Sequence, residues 1–206
     1  MKKTLCCIIS ICIQIISTNW ACGEYVLIDR TVAFVGEKVI LKSDLEKYVC
    51  YVGMKTKNPV ETLDKRNLLL KMIDELVLVQ EANKTGVGKA GQEEANVMMM
   101  ELKGMMDEKS RRCNDTSLDE DFIADRVYRE VIVEQFIKNR IEIFVKTTDM
   151  DISRYYLSKH GDGKEGYNEE MKEKTERELR AVLVEKELSD YLARVKKRIR
   201  IVVPEE

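Results

Sequence analysis

The only histidine, His160, stands in the run His160-Gly161-Asp162-Gly163-Lys164-Glu165-Gly166. Three glycines, two acids and an imidazole suggest a cation loop. The spacing fits no EF-hand, however, and a single histidine has no companion ligand. No strand-like run precedes the glycines, so a phosphate cradle is not expected either. No Ser-His-Asp, Cys-His or paired-carboxylate arrangement rises above the abundant surface charge, so the expectation is a non-enzyme with no cofactor and no metal. The methionines are a better lead. Met98, Met99, Met100, Met105 and Met106 crowd into nine positions and make up half of the chain's 10 methionines. Methionine is unbranched and polarizable and adapts to many partners, so such a cluster suits a promiscuous polypeptide-binding surface. Helical spacing turns Met98, Leu102 and Met105 toward a core, and leaves Met99, Met100 and Met106 as candidates for exposed apolar surface.

The elements that must carry these side chains are mostly helices. The chain has 206 residues, 44% hydrophobic and 35% charged, with only two prolines. That composition favours long helices in one domain. A formal net charge of −2 lacks the dominant basic surface of a nucleic-acid binder. Residues 1–23 differ from the rest. Lys2 and Lys3 precede an apolar stretch, and Ala21-Cys22-Gly23 ends it with small residues. This layout is that of a signal peptide, too short for a comfortable transmembrane span. Residues 24–206 are then the mature domain. Loss of Lys2 and Lys3, with no acid, moves the balance from −2 to −4. Ala21 at −3 and Gly23 at −1 allow cleavage before Glu24. Lipidation of Cys22 is the secondary reading, because Asn19 stands where lipoprotein sites usually carry a Leu-like residue; only then would the chain meet a membrane. Cys50 and Cys113 are the cysteines beyond the leader. An exported protein can pair them, but no CxxC context points to redox or zinc chemistry, and a bridge and two separate thiols both remain open.

Residues 32–35 and 39–41 are short apolar runs around Gly36-Glu37-Lys38, the pattern of a hairpin. Ser43-Asp44-Leu45-Glu46 matches a capping box, which starts a helix over 43–52 that ends near Gly53. Asn58-Pro59-Val60-Glu61 reads as the opening of a second helix, with Leu69, Met72, Ile73, Leu76 and Val77 as its core stripe and Gly86 at its end. A third helix is expected over 92–109, then a polar break over 111–116. Ser117-Leu118-Asp119-Glu120 reads as a second capping box, opening a helix to about residue 146 whose broad apolar surface includes Ile123, Val127, Phe136, Ile137 and Phe144. Thr148 starts a short helix that stops at Gly161. Residues 168–197 form the last long helix, with Leu179, Leu183, Leu188, Tyr191, Leu192 and Val195 as its stripe. Residues 198–203 alternate like a strand, and a lone terminal strand needs a partner. The expected fold is mainly α, with one small sheet built from the opening hairpin and the closing strand.

The run from Asp29 to Leu45, DRTVAFVGEKVILKSDL, resembles the opening of the SurA-type periplasmic chaperones. Residues 73–82, followed by Gly86-Val87, resemble that family's second-helix motif; residues 149–156 and 199–203 are similar to later elements in the same order. The resemblance covers most of residues 29–203. It implies a SurA N-terminal, trigger-factor-like helical chaperone fold, in the periplasm, whose clients are unfolded or nascent outer-membrane polypeptides. Many relatives carry parvulin-type prolyl isomerase domains where this chain has only residues 160–167, so isomerase activity is not carried over. The methionine cluster becomes the client-binding candidate. A dedicated adaptor or assembly subunit for one cell-envelope partner is the alternative.

Overall fold

The structure is a computed structural model that describes residues 29–87, 92–105, 112–113, 116–161 and 168–204. The expected leader, with Cys22, lies outside the described residues, as do Met106 and most of the glycine-rich loop. Strands β1 (Thr31–Val35) and β2 (Lys38–Leu41) pair antiparallel, with Ala33 opposite Ile40 and Phe34 opposite Val39. Gly36 opens the turn between them at φ +61, a left-handed conformation that an L side chain adopts only with strain. The terminal strand β5 (Ile201–Val202) lies on the other side of β1, with Val202 opposite Phe34 and Ile201 opposite Val35. The Gly36 N–H donates to the Arg200 carbonyl at 2.8 Å. The sheet order is therefore β2-β1-β5, and the hairpin and the closing strand share one sheet as expected. Alternation puts Ala33, Val35 and Ile40 in the core.

Six α-helices follow the hairpin among the described residues: α1 (Lys42–Thr56), α2 (Lys65–Thr85), α3 (Gln92–Met105), α4 (Glu120–Arg140), α5 (Asp149–His160) and α6 (Glu169–Lys196). The main core gathers the inward sheet face, α1, α2, the first half of α4 and Val195 of α6. A second core lies further along α2 and α4, where Leu78, Ala82, Ile132 and Phe136 meet Leu188, Tyr191 and Leu192 of α6.

Several boundaries differ from the sequence expectation, each for a local reason. Helix α1 starts at Lys42, and the Asp44 carboxylate accepts from the Leu41 N–H at 3.1 Å, a reach-back expected of Glu46 to Ser43. It runs through Gly53 to a left-handed Lys57. Asn58-Pro59 opens only a 3-10 turn (Val60–Thr62); α2 is capped by Asp64, which accepts from the N–H groups of Arg66 and Asn67 at 2.9 and 3.2 Å. The expected polar break contains a two-stranded pair, β3 (Arg112–Cys113) with β4 (Thr116–Ser117). Ser117 thus belongs to a strand, and Asp119 caps α4 by accepting from the Phe122 N–H at 2.7 Å. Lys47 of α1 holds the same carboxylate at 2.7 Å. Helix α4 ends at Arg140, and a 3-10 turn (Glu142–Phe144) leaves Phe144 66% exposed, not in the apolar face. Thr148 caps α5 and Asn168 caps α6 as read.

Cys50 and Cys113 are joined in a disulfide with a Cα–Cα separation of 5.6 Å, which ties β3 to α1 and settles the question that spacing left open. No helix among the described residues is long and apolar enough to cross a membrane.

Candidate functional site

A cleft of about 590 Å³ opens where α2, α4 and α6 meet, with Lys55 of α1, Met98 of α3 and Glu142 at its margins. Helical geometry puts residues four apart on one face, and three helices use that spacing here. Helix α2 presents Asp74 and Leu78, α4 presents Val133 and Ile137, and α6 presents Leu188 and Leu192. Of the apolar floor, Leu78 is a member of the second core and Leu188 and Leu192 pack against that core. Polar side chains line the walls: Lys71, Asp74 and Glu75 on one side, Glu130 and Glu134 on the other.

The Glu75 wall is held by a buried ion pair. Arg126 of α4 is 3% exposed and donates both terminal nitrogens to the two carboxylate oxygens of Glu75, with Nη1 to Oε1 at 2.7 Å. Its guanidinium stacks on Tyr48, 4.3 Å from the ring centroid, and stands 6.0 Å from that of Tyr51. Burial pushes the Glu75 carboxyl above its ordinary value, and Arg126 pulls it back only in part. Burial, with the neighbouring Glu130 carboxylate, also pushes the Tyr51 phenol up. The pair pins the register of α2 against α4, which carry two of the cleft walls. Two further pairs cross the walls: Lys55 with Glu130 at 2.7 Å, and Lys196 with Asp74.

The methionines separate. Met98 lines the cleft and packs on the main core. Met99, expected off the core face, is also partly buried against the core. Met100 is 73% exposed. Met105 closes α3, and Met106 lies outside the described residues. Sequence reasoning assigned Ile137, Leu188 and Leu192 to core stripes and did not single out Val133. For Val133 and Ile137 the available signal was the broad apolar surface of α4, too wide for one packing partner; Leu188 and Leu192 on α6 carried no signal beyond their own stripe. His160 ends α5 with its ring 4.6 Å from that of Tyr156.

Chemically, the cleft offers apolar contact framed by carboxylates and lysines. Among the described residues no group of His, Cys, Asp and Glu is arranged to hold a metal ion. A scan of the chain against protein-family models and a search of curated proteins returned no match.

Proposed function

We propose that this chain is an exported, periplasmic, ATP-independent chaperone that holds unfolded or outer-membrane-bound polypeptides in the cleft, without isomerase activity. The observation that carries the reading is the cleft itself. Its volume of about 590 Å³ and its floor of Leu78, Val133, Ile137, Leu188 and Leu192 suit several apolar side chains of an extended segment. A sheet closed by the two ends of the described chain around a helical body is also what the resemblance to the SurA-type chaperones implies. The Cys50–Cys113 bridge supports export, because disulfides persist in oxidising compartments. The mechanism is capture: binding the unfolded state lowers its free concentration and so its aggregation.

The test is suppression of light scattering by a denatured outer-membrane protein at stoichiometric amounts of this chain. Suppression should weaken when the floor is made polar by Leu188→Asp, provided that the variant keeps the far-UV spectrum of the parent. Full aggregation with the parent protein would remove the proposal.

A second reading, an adaptor for one dedicated envelope partner, is favoured by a different observation. Val39, Phe34 and Val202 face one another across the three strands and are 45%, 39% and 37% exposed. An in-register apolar row on the outer face of a sheet suits a fixed partner better than a changing set of clients. Recovery of one stoichiometric partner, lost in Phe34→Ser, would favour the adaptor; many clients retained by Phe34→Ser would favour the chaperone.

A further inference from the structure

We infer that the cleft selects segments in which apolar side chains are flanked by lysine or arginine. This inference rests on the proposed peptide-binding reading of the same cleft and adds the chemistry of what enters it.

The charges lining the cleft are Asp74, Glu75, Glu130, Glu134 and Glu142 against Lys55 and Lys71. Three of the acids are held by cations of the protein: Asp74 by Lys196, Glu75 by Arg126 and Glu130 by Lys55. Among the described residues, Glu134 and Glu142 have no cation within ion-pair distance, and the same holds for Lys71. Arg180 reaches Glu142 but donates to its backbone carbonyl oxygen, at 3.4 Å. Glu134 stands on α4, and Glu142 begins the 3-10 turn that continues from it, so the two carboxylates border one wall of the cleft. Lys71 is on α2, across the floor. A bound segment therefore meets apolar floor first and a wall with two uncompensated carboxylates beside it. A lysine or arginine next to the apolar side chains would complete those carboxylates and extend its own methylene stem along the floor. An acidic flank would meet like charge on that wall.

The test uses the full chain and three labelled peptides with one shared apolar centre, flanked by lysines, glutamines or glutamates. Fluorescence anisotropy should show the lysine-flanked peptide binding about tenfold tighter than the glutamate-flanked one at low ionic strength. The gap should shrink toward unity at about 0.5 M salt, where exposed charges are screened. The charge-reversing pair E134K/E142K, checked for an unchanged melting curve, should invert the ranking. Equal binding of all three peptides, or a ranking unmoved by E134K/E142K, overturns this inference and leaves the peptide-binding reading standing. No binding of any peptide overturns both.

Discussion

Arg126 and Glu75 are the residues on which the site is hung. A guanidinium that is 3% exposed needs acceptors for its buried N–H groups, and the Glu75 carboxyl oxygens supply them. Glu75→Ala should therefore cost about 3–5 kcal/mol, because it leaves a buried guanidinium with no acceptor at all, whereas protonation keeps the carboxyl in place. Replacing both partners, E75M/R126M, should cost far less or stabilise, since methionines fill the space without any desolvation penalty. Urea unfolding of the single and double variants measures the difference. The pH dependence follows from the same pair. Burial is the larger influence on Glu75 and raises its carboxyl above the ordinary 4.5. The folded state then holds that proton more tightly than the unfolded chain. The contribution of Glu75 to stability is complete below 4.5 and declines as pH rises through the raised value. Stability curves recorded against pH should lose this downward component in Glu75→Gln. None of this was legible in the sequence. The two residues are 51 positions apart, and each is one charged side chain among the 35% that are charged.

Helices are where sequence reading performed best and also where its errors are most instructive. All six were placed, because apolar stripes at helical spacing survive uncertainty at their ends. Their starts were misread wherever two capping residues competed. Asn58-Pro59 is a good local opening, yet Asp64 captures two backbone N–H groups and begins α2 six residues later. Asp64→Ala should thus lower stability by about 1 kcal/mol, while Asn58→Ala, which leaves the backbone bond from its N–H to the Gly53 carbonyl intact, should change it by less than about 0.5 kcal/mol. Thermal melts of the two variants decide which residue is the cap. Ser117 lost to Asp119 for a reason outside the local sequence: Lys47, 72 residues away, holds the Asp119 carboxylate. The disulfide was equally beyond local reading, since its cysteines are 63 residues apart. By the chain-entropy argument a loop of that length gains about 4 kcal/mol from the bridge, so Cys113→Ser should lower the urea midpoint substantially. Adding a reductant to the parent chain should reproduce the shift and leave Cys113→Ser unaffected.

At the scale of the whole molecule, closure was legible and the cleft was not. The alternation of residues 198–203 demanded a strand, and a strand needs partners; the opening hairpin was the only stretch that offered them. The cleft depends on how α2, α4 and α6 cross, and no periodicity within one helix encodes that crossing. Closure by the terminal strand makes a prediction that separates global from local stability. Ending the chain after Lys197 keeps α6 and its buried Val195. It removes β5 from the edge of β1, the Arg200 acceptor of the Gly36 N–H, and two isoleucines, Ile199 and Ile201, that pack partly buried on the main core. Each isoleucine contributes roughly 1–2 kcal/mol by burial, so the loss should be about 2–4 kcal/mol before the backbone bonds are counted. Because β1 is the central strand and its inward side chains Ala33 and Val35 are fully buried, that loss must pass to the core as a whole. The truncated chain should unfold in one transition at a lower midpoint, with helical and sheet signals lost together. A midpoint equal to that of the full chain would mean that the hairpin and helices hold the core unaided, and that β5 only covers an edge.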